Sequence, residues 1–381
     1  MKAILLRYIT FVLLLNTSSI WMHAQDSMDT TQTIQVRKRE KIKANIKKKG
    51  SIIYRFIKQF DAIDHEYITP NYYNYTTMLQ NTNYFQMYKF SGRNNDGVSQ
   101  SLTAQPSHSI KIGPYFGWRW IFLGYTFDIG HPHSAGQSTE FNLSLYSSML
   151  GIDFVYIKNS GNFKLKRVSG FKDVSNKAYL DYPLKHMKAD IMSYSGYYVF
   201  NHRRFSYPAA YNQSTMQRKS CGSGMLGIGF SKQTLNFDHN ELPSGLTTHS
   251  QLIDELKFNK IDYKYFYISG GYAYNWVFAP NFLLGISIMP TIGLRKEKNK
   301  KIQSSQVIKD IRNLSFDCVS RSGLVWNNNH WFCGVSYINN LYLYRKKNFS
   351  LTNSVNFLNL YVGFFFNRKS QYRNKLIRKT D

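Results

Sequence analysis

The chain has 381 residues, with 49 Lys and Arg against 22 Asp and Glu, for a formal net charge of +27. Mean hydropathy is −0.40 and no run of about 18 apolar residues occurs, which excludes a bundle of transmembrane helices. Aromatics make up 16 %, dominated by 29 Tyr and 27 Phe, and the three cysteines follow no disulfide or metal-thiolate spacing.

The N-terminus reads as a secretion signal over residues 1–25. Lys2 and Arg7 make a positive first region, Tyr8 to Leu15 is a short apolar run, and Ala24-Gln25 is a cleavage zone. No Cys lies near that zone, which argues against a lipid anchor. Residues 26–60 form a basic periplasmic segment. Its stretch 37–49, RKREKIKANIKKK, holds eight Lys or Arg, and Ile42, Ile46, Ile53, Phe56, Ile57 and Phe60 recur at roughly helical spacing. A short basic amphipathic helix is expected over 38–60, suited to an acidic inner leaflet or a periplasmic partner, with a solvated basic linker as the alternative.

Beyond residue 60 the apolar period changes from helical to two. In IKIGPYFGWRWIFLGYTFDIG (110–130), Ile110, Ile112, Pro114 and Phe116 share one face, and Lys111, Gly113, Tyr115 and Gly117 share the other. Ile121, Leu123, Tyr125, Phe127 and Ile129 repeat the pattern after a Gly-Trp-Arg corner. Successive strand residues point to opposite sides, so this is a hairpin with one apolar and one small-or-polar face. Strands are expected near 73–90, 106–117, 119–130, 139–147, 149–158, 189–201, 222–237, 261–278, 281–295, 311–326, 330–344 and 353–366. Most reach the roughly 9–11 residues that a tilted strand needs to cross a bilayer.

The connections alternate in length. Short ones fall at 117–119, 147–148, 279–281 and 327–329; longer ones fall at 91–105, 131–138, 159–188, 238–260, 296–310 and 345–352. Bacterial barrels have short periplasmic turns and long external loops. Residues 202–221 break the rule, being long where a short turn is due; a lid, an inward plug and an unrecognised strand pair are all open there. With a turn at Asn327–Asn329, Cys318 is expected opposite Ile338 and Cys333 opposite Gly323, so neither thiol faces the other. The fold class is therefore all-β: an antiparallel up-and-down transmembrane β-barrel of about 12 strands (10–14 allowed) over residues 61–366, followed by a basic tail at 367–381.

Four segments resemble a family of uncharacterised outer-membrane proteins of Gram-negative bacteria, catalogued as a domain of unknown function. They are DHEYITPNYYNYTTMLQNTN (64–83), IGPYFGWRWIFLGYTFDIG (112–130), TEFNLSLYSSMLGIDFVY (139–156) and SYPAAYNQSTMQRKSCGSGMLGIGFS (206–231). The resemblance spans roughly 60–366. It implies an outer-membrane β-barrel and brings no catalytic residue. The last strand ends in Phe364-Phe365-Phe366, resembling the terminal strand that barrel assembly machinery reads, although a basic tail follows it.

Enzyme signals are weak. CGSGMLG (221–227) lacks the order of a nucleophile elbow. His131-Pro132-His133 and His249-Ser250 read as polar loops, and neither metal nor cofactor is expected. Lys111, Asp128, Asp153, Asp317 and Arg321 fall on the interior face, where charges either pair and fill the lumen or line a passage. Trp118, Arg119 and Trp120 read as an interfacial anchor. The positive balance favours outer-membrane lipids and lipopolysaccharide phosphates; a secreted address argues against nucleic acid. The expected function is a non-enzymatic outer-membrane role: passage or binding of a small or lipidic ligand, or envelope structure. An outer-membrane lipid-modifying enzyme and a soluble secreted β-sandwich are the alternatives.

Overall fold

The computed structural model describes residues 63–373 except 119–120, 130–137, 161–162, 248–251, 298–313 and 371. The expected signal peptide and basic helical segment lie outside these residues, as do Arg119, Trp120, the two His-containing loop motifs and the end of the basic tail. What is described falls in one compact unit, residues 60–381.

In chain order the first strands are β1 (Ile68–Pro70), β2 (Tyr73–Arg93), β3 (Ser99–Pro106), β4 (Ser109–Trp118), β5 (Ile121–Gly124) and β6 (Phe127–Asp128). Then come β7 (Ser138–Tyr146), β8 (Leu150–Ser160), β9 (Phe163–Ser169), β10 (Tyr182–Leu184), β11 (Lys188–Val199) and β12 (Thr215–Gln217). The last are β13 (Cys221–Asn236), β14 (Lys260–Ala279), β15 (Phe282–Glu297), β16 (Leu314–Asn327), β17 (Trp331–Arg345) and β18 (Phe349–Arg368). Two short helices are α1 (Tyr207–Tyr211) and α2 (Ser244–Thr247).

One antiparallel sheet of 16 strands makes the wall. Its order runs β7, β8, β11, β13, β14, β15, β16, β17, β18, β2, β4, with β5 and β6 as two pieces of one strand beyond β4. Each of these positions coincides with a strand expected from the alternation. The sheet curls until strands far apart in its order touch. Asn159 on β8 donates to Gln86 on β2 at 2.6 Å, and Lys111 on β4 meets Glu140 on β7 at 3.0 Å. The tight hairpins at Ser147–Met149, Pro280–Asn281 and Asn328–His330 lie at one end, where β2 begins and β18 finishes; we call this the turn end and the other the loop end. Asn281 and Asn329 hold positive φ (69° and 67°) at two of those turns, a conformation Asn tolerates.

Three strands expected as loop belong to the sheet. The loop-end part of β2 pairs with β3, β3 with β9, and β9 with β10, so the stretches at 91–105 and 159–188 fold into a flap that extends the wall. The connection expected to be long at 345–352 is a three-residue turn closed by Lys346 N–H to Phe349 O. The cysteine register also differs from expectation. Cys318 pairs with Leu341 and Cys333 with Trp326, because the β16–β17 turn is centred one to two residues later than supposed. All three thiols are free.

The outward face of the wall is apolar along whole cross-strand rows. Ile228, Ile268, Ile292 and Phe316 are successive partners across β13 to β16. Trp276, Leu284, Leu324, Val335 and Leu360 form a second row from β14 to β18. Nearly all of these side chains stand exposed, Ile228 at 70 % and Trp276 at 52 %. Near the turn end outward aromatics touch in series: Phe116 with Tyr75, Tyr75 with Phe366, Phe366 with Phe364, and Phe364 with Trp331. One outward patch is polar. There Asn339 donates to Asn356 at 2.6 Å and to Ser354 at 3.0 Å, and Asn83 donates to Asn81 at 2.6 Å, so the amides satisfy one another.

At the loop end the interior is an apolar core. Phe90 stacks against Phe237 at 5.0 Å, and Leu102, Leu165, Leu184, Leu246 and Leu256 are almost wholly buried around them. The flap is pinned from outside by a Lys166–Asp181 contact, and the Lys166 ammonium holds the Asp181 carboxyl below its usual range. A lowered carboxyl contributes stability above its unfolded pKa and loses it as pH falls through the folded value. Acidification below about pH 4 is therefore expected to speed amide exchange in β10 before the wall strands respond. Equal protection of β10 and β14 across that range would contradict this.

Candidate functional site

The interior at the turn end is filled by the segment that breaks the loop-length rule. Residues 200–220 leave β11 and fold inward before joining β13. The sequence Ser206-Tyr207-Pro208 starts α1 in the manner helix starts require: the Ser206 hydroxyl accepts from Ala209 N–H at 3.2 Å, and Pro follows within the first turn, where no N–H is needed. The segment is therefore an inward plug. It also contributes β12, a single short strand that pairs with β1 apart from the wall, rather than a strand pair of its own.

Two wall glycines seat the plug. Gly285 on β15 and Gly323 on β16 are cross-strand partners and face inward. A Cβ on Gly285 would lie 2.5 Å from Ala210 Cβ, and one on Gly323 would lie 2.8 Å from the Ala210 carbonyl oxygen. Bare backbone at these two points is what lets α1 lie against the wall. Polar contacts complete the seat. Asn275 donates to Ser206 O at 2.8 Å, Gln213 to the Tyr361 hydroxyl at 2.8 Å, and Tyr211 to Arg321 O at 3.3 Å. Burial pushes the Tyr211 phenol well above its ordinary pKa, so it stays a neutral donor. From the turn end, residues 64–70 grip the same segment: Asp64 pairs with Arg204 at 3.2 Å, Glu66 with Lys219 at 3.0 Å, and Arg218 N–H bonds Tyr67 O at 2.7 Å.

Above the plug sits a buried ion pair. Arg321 on β16 donates from Nη2 to Asp153 on β8 at 2.7 Å. Its Nη1 lies 3.0 Å from the Tyr146 hydroxyl, 3.2 Å from that of Tyr197 and 3.0 Å from that of Tyr207 on the plug. Asp153 also accepts from Ser144 at 2.6 Å and from Tyr146 at 3.1 Å. A buried pair is better tolerated the more of its remaining donors and acceptors are met; here the guanidinium Nη atoms and the carboxylate are partnered, and Arg321 Nε is not. One guanidinium thereby ties two opposite sides of the wall to the plug.

The other inward charges from the alternation have separate partners. Lys111 meets Glu140 at the junction of β4 and β7. Asp128 accepts from Ser109 at 2.8 Å. Asp317 accepts from the Tyr265 hydroxyl and, at 2.8 Å, from Leu343 N–H. So Asp153 and Arg321 come together, whereas Lys111, Asp128 and Asp317 do not join them. Trp118 ends β4, half-buried, opposite Tyr75 and Ile121. Sequence reasoning missed Glu140, Tyr146 and Tyr197, which the alternation of 139–147 and 189–201 places inward, and Tyr207, whose only signal was the Ser-x-Pro helix start.

Among the described residues the lumen holds at least two spaces. A cavity of about 50 Å³ lies between Arg321 and Asp317, room for a water or so. A larger chamber of about 210 Å³ lies between the plug, β2, β4, β7, β17 and β18. Among the described residues no group of three or more His, Cys, Asp or Glu is arranged to hold a metal ion.

A family model described as Domain of unknown function (DUF4421) matches residues 62–366. The chain belongs to that family. No curated protein matches it. Among solved structures it is similar to the outer membrane protease OmpT of Escherichia coli, at TM-score 0.35 and 10 % identity over 81 % of this chain and 100 % of that one. It is also similar to the outer membrane protein OprG of Pseudomonas aeruginosa, at TM-score 0.24 and 10 % identity over 78 % and 98 %. A third is the P. putida toluene transporter TodX, at TM-score 0.23 and 8 % identity over 78 % and 91 %.

Proposed function

We propose that this protein is a non-enzymatic outer-membrane β-barrel whose lumen is shut at rest and which binds or passes a small ligand. The observation that carries the membrane placement is the outward face. Soluble monomers rarely expose contiguous apolar patches beyond a few hundred Å². Here apolar rows run across the wall, a chain of aromatics lies toward one end, and polar and charged groups gather inside between the loop-end core and the plug, as fits a bilayer-spanning barrel. The polar patch around Asn339 and Asn356 fits the same reading, because amides facing hydrocarbon must find partners within the wall. The proposed partners are anionic outer-membrane lipids and lipopolysaccharide for the basic surface, and the barrel assembly machinery for the aromatic final strand. Periplasmic contact is proposed for the basic N-terminal segment.

The resting closure is assigned to the plug at the turn end, with the apolar core narrowing the loop end. A free pore does not fit such packing, and a gated or ligand-holding barrel does. Fractionation tests the placement: the protein is expected to stay with membranes until detergent is added, and to run faster on gels unheated than boiled. Release without detergent would point instead to a soluble secreted β-sheet protein. In planar bilayers the parent chain is expected to be silent or nearly so; a steady large conductance would remove the resting closure.

A further inference from the structure

The chamber of about 210 Å³ has a mixed lining, with Met78, Leu143, Ile338 and Phe357 beside its polar and tyrosine side chains. Carboxamides project into it from β2, β7, β18 and the plug: Gln80, Asn142, Asn359, Asn212 and Gln213. Hydroxyls of Thr82, Ser144 and Ser336 lie among them, and the phenol rings of Tyr115, Tyr146, Tyr211 and Tyr361 supply flat faces. Its two charged lining residues, Lys111 and Glu140, neutralise each other at 3.0 Å. Several of these groups already bond one another, Gln80 to Thr82 and Asn359, Asn359 to Ser336, and Gln213 to Tyr361, so the chamber presents an uncharged hydrogen-bonding surface with several ring faces and no net charge.

One donor in it has no protein partner. Asn212 is 91 % buried by its 9 % exposure, and its Nδ2 atom has no hydrogen-bond partner, although its Oδ1 accepts from Ser214 N–H at 3.1 Å. An orphaned buried amide donor costs about 1–3 kcal/mol. Asn142 adds a second sign, since its register places it on the inward side of β7 and yet it stands exposed to the chamber.

We propose that this chamber binds a neutral saccharide of one or two rings. Such a ligand matches the lining on each count. Its hydroxyls both donate and accept, as carboxamides do. Its C–H faces lie against phenol rings, and it carries no charge for a lining that has no net charge to offer. An acceptor oxygen of the sugar receives a hydrogen bond from the Asn212 Nδ2–H. Because Tyr211, Asn212 and Gln213 belong to the plug, the bound sugar touches wall and plug together, and its affinity depends on where the plug sits. The proposal rests on the lumen reading above.

The test is calorimetric titration of the full-length protein in detergent with D-glucose, N-acetyl-D-glucosamine and maltose. Glucose 6-phosphate and toluene serve as charged and apolar comparisons. Gel mobility of the unheated sample first establishes a folded barrel, so loss of the fold is seen separately from loss of binding. At least one neutral sugar is expected to bind with Kd at or below about 1 mM, at least tenfold tighter than the phosphate ester, with no heat from toluene. Asn212→Asp keeps the turn acceptor and the shape but removes the donor; Asn142→Leu replaces a carboxamide of the lining with an apolar side chain. Both are expected to lower the affinity at least tenfold while unheated gel mobility is unchanged. No sugar binding at about 10 mM, equal binding of the phosphate ester, or undiminished affinity in both folded variants overturns the proposal.

Discussion

A chain carrying Gly285→Val and Gly323→Val is expected to conduct ions in planar bilayers that the parent chain holds back. Each new side chain enters space that α1 already fills, one against Ala210 Cβ and the other against the Ala210 carbonyl oxygen. The second obstacle is backbone, so no rotamer change relieves it. Overpacking of this kind costs about 1–3 kcal/mol at each site. The wall strands are held by long ladders on both sides, whereas the plug is a five-residue helix on two connecting arms, so the plug is the element that yields. Gly270→Val is the matched control, because a Cβ at this outward β14 position meets nothing within 4 Å. Conductance that rises at least tenfold in the double variant and stays at parental level in the control is the expected pattern. A folded double variant as silent as the parent would show that the seat does not hold the plug, or that the loop-end core closes the lumen alone.

Arg321→Met is expected to be the most destabilising single change in the interior. It leaves Asp153 buried at 5 % exposure with two hydroxyl donors and no cation, and it removes the shared donor from Tyr146, Tyr197 and Tyr207. Removing one partner of a buried pair costs about 3–5 kcal/mol. The double variant Arg321→Met with Asp153→Leu removes both charges and is expected to recover a good part of that loss, since apolar replacement of a whole pair is often neutral. Thermal unfolding followed by the shift between unheated and heated gel mobility reads this directly. Equal melting of the single and double variants would mean that the pair carries no coupling, and the tie between wall and plug would have to be sought elsewhere.

The legibility of this chain follows the length over which each signal acts. Wall strands such as β14 and β15 announce themselves because period-two alternation persists for many residues with lipid-type side chains on one face. The flap strands do not. In β9, FKLKRVS, Phe163 and Leu165 alternate with lysines, but only for a few residues and inside a stretch that the loop-length rule assigns to the exterior. The plug is harder still, because α1 is too short to show a helical period and its inward course depends on glycines far off in the chain. Inward placement of Asp153 and Arg321 is a local property, visible in each strand. Their pairing is not, since the two are 168 positions apart and meet only through the curvature of the wall. The cysteine register failed for a smaller reason: a slight displacement of one hairpin turn moves every partner along the ladder.

The wall's longest continuous ladder joins β2 to β18, from Gly92 opposite Phe349 down to Tyr75 opposite Phe366. Its inward side chains interlock as well, as where Gln86 donates to Asn353, 267 positions later, at 3.1 Å. Loop-closure entropy makes contacts of such separation slow to form. One edge of β2 pairs with β3 and β4, which follow it directly, but its other long edge waits for β18, almost the last strand made. Until then that edge, with its outward Leu79 and Phe85, is a template for pairing with another chain. The kinetic hazard of this protein is thus concentrated in its first long strand. Truncation at the C-terminus should be punished as aggregation of the newly made chain rather than as a mild loss of stability.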